Sequence, residues 1–139
     1  MRNKQRFVVD TNVVVSAMLF PRSKPRQAFD KAINSGKILI SLSVRDELGE
    51  VITRAKFNRY TSEEKRQQFF DHLIEKAEMI EITETITACR DPKDDKYLEL
   101  AVNGNAGFII SGDNDLLILS PFQGILILNP EEFLQLNVI

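Results

Sequence analysis

Apolar positions along this chain fall into two patterns. Four short uninterrupted runs, RFVV (6–9), KILIS (37–41), GFIIS (107–111) and GILIL (124–128), are rich in β-branched residues and bounded by Gly or polar positions. They predict strands, and EMIEI (78–82) predicts a weaker fifth. The runs are continuous rather than alternating, so both faces of each strand are expected to be covered, as in a parallel sheet. Helical spacing fills the intervals. Thr61 with Glu64 forms a capping-box pattern ahead of Phe69, Phe70, Leu73, Ile74 and Ala77. Ser43 is placed to cap a helix over 43–54, with Val44, Leu48, Val51 and Ile52 on one side. DDKYLELAVNG (94–104) opens on acids and closes on Gly, and Asn129-Pro130 opens a short last helix. Strands alternating with helices predict an α/β domain with a mainly parallel sheet, whose ligands bind beyond the carboxyl ends of the strands.

A few polar residues break the apolar pattern. In RFVVDTNVVVSAML (6–19), Asp10 follows three apolar residues and Asn12 comes two later. A carboxylate buried there without a partner costs several kcal/mol. Asp113 lies just past GFIIS, Glu47 in the first turns of the helix after KILIS, and Asp94 and Asp95 at the start of the helix feeding GFIIS. In a parallel sheet all of these meet at one edge. Each has a local reading: a helix cap for Asp94, a dipole partner for Glu47, a turn for Asp113. Their convergence calls for more. Carboxylates gathered without cations raise one another's pKa values. A hard divalent cation, Mg²⁺ or Mn²⁺, relieves this, whereas no Cys/His set suits zinc. Such a cation polarises phosphoryl oxygens and activates water. Asn12 is placed to orient a ligand or bound water beside Asp10, and Ser111 to do the same for Asp113.

Bulk properties narrow the classes. At 139 residues, with 43% hydrophobic and 27% charged residues, the chain is expected to form one domain over 1–139. Its net charge of −2 supplies no global field for nucleic acid, so such contacts would rest on local patches. The single Cys89 forms no internal disulfide, which fits a reducing cytoplasm. MRNKQR followed by VVVSAMLF does not read as a secretory leader, because Asp10 and Asn12 intervene and PRSKPR stands where a cleavage site belongs. No run reaches the roughly 18 apolar residues of a membrane span.

The blocks VVDTNVVVSAML, SVRDELGEVITRAKF, DPKDDKYLELA and FIISGDNDLL, in this order and spacing, resemble PIN-domain ribonucleases over nearly the whole chain. The closest resemblance is to the bacterial and archaeal branch of toxin components of toxin–antitoxin pairs. It implies a three-layer sandwich about a five-stranded parallel sheet and metal-dependent endonuclease activity on single-stranded RNA. Carried over by position, Asp10, Glu47, Asp94 and Asp113 are the catalytic, metal-holding acids. Asn12, Ser111, Asp95 and Asp115 support them, although Asp95 falls where other members tend to have Asn. An antitoxin protein is the implied partner, and a homodimer is compatible with the resemblance.

Other features divide between solvated surface and nucleic-acid contact. PRSKPRQ (21–27) reads as a loop whose Arg22, Lys24 and Arg26 could steer phosphates. Arg54, Lys56 and Arg59 stand near Phe57 and Tyr60, residues of stacking or core type. His72 has no second His to work with, and Cys89 reads as packing. A phosphoacceptor switch would need a Lys after the last strand, where GILILNPEEF has none. An aspartate-nucleophile phosphatase would need Asp where Asn12 stands. An inactive RNA-binding or regulatory module is disfavoured by the intact acids.

Overall fold

The first strand supplies the axis of the molecule. In the computed structural model, which describes residues 2–137, β1 (Asn3–Val9) runs through the middle of a five-stranded sheet. β2 (Lys37–Ile40) flanks it on one side and β4 (Ala106–Ile110) on the other, with β3 (Glu78–Met79) and β5 (Leu126–Leu128) outermost. Every pairing is parallel. The expected strands are all present. The terminal two are shorter than their apolar runs, and β1 begins earlier, at Asn3.

Continuous apolar runs are explained by a core on each face. Phe7, Val9, Phe108 and Ile110 belong to one, beside Phe29 and Phe133; Val8, Ile109, Ile127, Leu98 and Leu100 belong to the other. Phe7 stacks on Phe108 with ring centroids 5.8 Å apart, and Phe133 meets both edge-on at 5.4 and 6.0 Å. β2 enters beside β1 so closely that a Cβ on Gly36 would lie 1.9 Å from the Gln5 carbonyl oxygen. Only glycine fits that approach.

Helices fill the crossovers: α1 (Thr11–Leu19), α2 (Lys24–Ser35), α3 (Leu42–Val51), α4 (Glu63–Lys76), α5 (Asp95–Asn103), α6 (Asn114–Leu117) and α7 (Pro130–Gln135). Several starts differ from the expected ones. α3 is capped by Ser41, whose side chain accepts from the Val44 amide, not by Ser43; α4 is capped by Ser62, not Thr61. In both cases Ser sits one step before the first helical residue, and a neighbouring hydroxyl competed for the role in the sequence. PRSKPRQ is not a loop throughout. Ser23 caps α2 and Pro25 sits in its first turn, where a missing amide costs nothing. α7 starts as expected, with a reciprocal Asn129–Glu132 capping box. Among the described residues, no helix is long and apolar enough to cross a membrane.

Candidate active site

Parallel strands send their carboxyl ends to one edge, where the chain turns directly from β1 into α1. Asp10 is that turn. It caps α1, its Oδ1 accepting from the Val13 amide at 2.9 Å, and its Oδ2 accepts from the Ser111 hydroxyl at the end of β4. The residue is 4% exposed. Burial pushes its carboxyl above the usual range, and the bonds from Ser111 and Val13 oppose that rise. Ser111, also buried, accepts from the Asp113 amide at 3.0 Å, so one hydroxyl ties β1 to the loop after β4. Asp113 then caps α6 by accepting from the Asp115 amide at 2.9 Å.

Asp94 arrives from the other side, in the 3-10 turn Pro92–Asp94 that precedes α5. It stands at the N-cap of α5 without a side-chain capping bond, so its carboxylate is not used up by the helix. Oxygens of Asp94, Asp113 and Asp115 lie within 4.8 Å of one another. Burial, together with the hydrogen bond and repulsion from Asp113, pushes the Asp94 carboxyl up to about 6. Asp115, expected in a supporting place, thus brings a carboxylate oxygen alongside those of Asp94 and Asp113.

Glu47 has a different setting. Its Oε2 accepts from the Thr11 hydroxyl at 2.7 Å and the Tyr97 hydroxyl at 3.0 Å, and Oε1 accepts from the Lys96 ammonium at 3.1 Å. Burial acts to raise its pKa, but the bonds from Thr11, Lys96 and Tyr97 outweigh it and hold the carboxyl below its ordinary value. Asp95 turns elsewhere: it is buried and accepts from the Ala88 and Cys89 amides at 3.0 and 2.8 Å. Those bonds likewise outweigh its burial and lower its pKa.

Two clefts open at this edge, of about 440 and about 370 Å³, and Asp10, Asn12 and Asp113 line both. Asn12 is exposed there. Glu47 and Asp94 line the smaller cleft, with Arg54, Lys56 and Lys96. The basic stretch 22–26 contributes less than expected. Lys24 pairs with Glu131 at 2.8 Å, Arg26 with Asp30 at 3.2 Å, and it is Pro25 that lines the larger cleft. Arg22 is exposed. Phe57 is buried yet lines the smaller cleft, whereas the exposed Tyr60 packs edge-on against Phe20 at 5.3 Å.

A family model described as the PIN domain matches residues 6–115, from the first strand to the last acid of the trio. The chain belongs to the PIN-domain family. PIN domains are generally nucleases, which fits a carboxylate-lined cleft at the carboxyl edge of the sheet. An uncharacterized protein of Methanocaldococcus jannaschii is 29% identical over 143 residues, covering 95% of this chain and 91% of its own. Two solved structures share the PIN fold at a TM-score of 0.61. VapBC2 from Rickettsia felis, bound to a DNA fragment from its promoter, is 15% identical and covers 89% of this chain and 98% of its own. PAE2754 from Pyrobaculum aerophilum is 14% identical and covers 94% and 88%.

Three residues of this PIN site escaped the sequence reading. Thr11 had no apolar break to mark it, and Tyr97 reads as core in YLELA; it is indeed buried, with its hydroxyl also 2.8 Å from Thr11 Oγ1. Lys96 carries a usable signal. A cation in the first turn of a helix opposes the helix dipole, so its presence there asks for another reason.

Proposed function

We propose that this PIN-domain protein is a divalent-cation-dependent endoribonuclease that cleaves single-stranded RNA and acts as the toxin of a toxin–antitoxin pair. The observation that carries the reading is the convergence of Asp94, Asp113 and Asp115, with Asp94 and Asp113 lining a cleft beside buried Asp10. The residues fit the cation. All the donors are hard carboxylate oxygens, and Asp94, held up at about 6 by burial and by Asp113, marks a repulsion that a bound cation would relieve. Mg²⁺ and Mn²⁺ both match such donors. When bound, the ion supplies charge neutralisation and water activation at a phosphodiester.

The chain's own residues do the rest. Ser111 and the α1 amide fix Asp10 in one orientation, and the Asp115 amide fixes Asp113. Asp10, Asp94 and Asp113 are the residues that would hold the ion, with Asp115 beside them. Glu47 stands apart, with its own hydroxyl and ammonium partners. Asn12, exposed at the junction of the two clefts, is placed to donate to a substrate oxygen. The fold shared with VapBC2 and the sequence resemblance to the toxin branch support an antitoxin partner.

The test is cleavage of single-stranded RNA with Mg²⁺ or Mn²⁺, with and without EDTA, by wild type and Asp10→Asn. Cleavage that needs the metal and falls by at least about 10²-fold in the variant supports the reading. Undiminished cleavage by Asp10→Asn, after contaminant controls, removes Asp10 from the mechanism. For the toxin role, growth arrest on expression should be relieved by the product of a reading frame flanking the gene.

A further inference from the structure

Both oxygens of Glu47 are committed within the chain, to the Thr11 and Tyr97 hydroxyls and to the Lys96 ammonium. The oxygens of Asp94, Asp113 and Asp115 face one another instead. The acids of the cleft therefore form two groups: the Lys96 ammonium is bonded to Glu47 in one, while in the other it acts on Asp94 only through space, against a gathering of like charges.

Lys96 is unusual for a lysine. Its side chain is 17% exposed although it lines a solvent-open cleft. The ammonium donates to Glu47 and, at 2.8 Å, to the Lys93 carbonyl, which leaves one of its three N–H donors for another acceptor. Neither stability nor helix physics accounts for it. Glu47 is over a third exposed, an ion pair so open to solvent adds little stability, and a cation at a helix N-terminus is unfavourable. A polyanion entering a cleft lined by Asp10, Asp94 and Asp113 does need a cation of the protein's own, and Lys96 is held at that cleft by α3 and α5 together.

We propose that Lys96 is a catalytic residue that binds the scissile phosphate, and that Glu47 positions it rather than ligating the cation. The proposal rests on the ribonuclease reading above. In the step, a water oxygen forms the new bond to phosphorus and loses a proton to solvent. The bond from phosphorus to the leaving oxygen breaks, and that oxygen takes a proton from solvent. Lys96 remains protonated and donates to a non-bridging oxygen on which negative charge grows, the kind of contact that lowers a transition state more than a ground state.

The test compares wild type, Glu47→Gln, Asp113→Asn, Lys96→Met and Lys96→Arg. Mn²⁺ is titrated calorimetrically into each protein. Binding of a labelled single-stranded RNA in Mn²⁺ is followed across a salt series, and cleavage rates are measured at saturating Mn²⁺. Glu47→Gln should keep Mn²⁺ affinity within about threefold. Asp113→Asn should lose about tenfold or more, as disturbing a metal's surroundings commonly does. Lys96→Met should lower kcat about 10²-fold with a smaller change in KM, and reduce the salt slope of RNA binding by about one unit. Lys96→Arg should recover the slope and part of kcat. The double variant Glu47→Gln with Lys96→Met should be no slower than Lys96→Met alone, because the two act as one unit.

A loss of Mn²⁺ affinity in Glu47→Gln equal to that in Asp113→Asn would overturn the assignment of Glu47. An unchanged kcat and salt slope in Lys96→Met, with only a lowered melting temperature, would make the pair structural. Should Lys96→Met fail to fold, Lys96→Gln takes its place. If wild type does not cleave RNA in Mn²⁺, the ribonuclease reading falls, while the calorimetry and the salt series still decide for or against the roles of Glu47 and Lys96.

Discussion

Asp10 combines two roles that are usually alternatives, a helix cap and a member of an acid cluster. Its sequence setting showed that something must compensate a carboxylate in an apolar run. It did not show the compensation, because the Val-rich stretch after it gives little sign of the helix α1 that it caps. The two roles predict what Asp10→Asn does to stability. Asn caps helices as well as Asp does. Its amide oxygen can keep the Val13 N–H, and its NH₂ can donate to Ser111 Oγ, which already accepts from the Asp113 amide. The substitution also removes one buried charge beside Asp113 and Glu47. The metal-free variant should therefore be at least as stable as metal-free wild type at neutral pH, and Mn²⁺ should raise the melting temperature of wild type more than that of the variant. Thermal melts with EDTA and with Mn²⁺ check both. A large loss in the metal-free variant, with no metal response in wild type, would leave Asp10 a purely structural carboxylate.

At the scale of elements, α5 was legible as an amphipathic helix but its second task was not. Three of its polar residues, Asp95, Glu99 and Asn103, are spaced four apart and serve as acceptors for the extended segment before it. Asn103 Oδ1 accepts from the Thr83 and Glu84 amides at 3.0 and 2.9 Å, Glu99 from Ile86 at 3.0 Å, and Asp95 from Ala88 and Cys89. Side chains here take the place of a neighbouring strand, which is why the fifth apolar run yields only two strand residues before the chain turns to α5 for its bonds. Nothing in local propensity announces such a ladder, because its partners are 6 to 20 residues away and on a different element. The segment leads into Asp91 and the turn carrying Asp94, so the ladder also sets where that acid stands. Asn103→Ala should destabilise the protein by about 0.5–1.5 kcal/mol, the net worth of hydrogen bonds to groups that water can reach. Hydrogen exchange should show lost protection at Thr83 and Glu84 and little change at Val8 or Ile109. Unaltered protection at residues 83 and 84 would sink the ladder as their anchor.

For the whole molecule, the alternation of strands and helices was enough to reach the parallel sheet and the edge where the acids gather. The misplaced starts of α3 and α4 did not alter the layers, since a cap shifts a helix by a residue or two and leaves its buried face in place. The gathered acids leave a mark on global stability. Asp94 titrates at about 6 when folded, against an ordinary value of 3.8. Between those values the folded state holds more proton than the unfolded one, so stability falls as pH rises. Asp10, also raised, acts in the same direction. Metal-free protein should therefore melt higher at pH 5 than at pH 7, and Asp94→Asn should narrow that gap. A melting temperature that climbs between pH 5 and pH 7 would contradict it. Finally, the order β3-β2-β1-β4-β5 has a temporal meaning. The central strand is made first, but one of its two neighbours is β4, and the hydroxyl that secures Asp10 lies 101 residues further along. During synthesis from the N-terminus, a chain halted before β4 holds Asp10 and Glu47 and has neither Ser111 nor Asp113. The acid-lined edge is thus closed late in translation, after β4 and the loop behind it are made, and on the proposed ribonuclease reading an unfinished polypeptide lacks acids it needs to cut the message that encodes it.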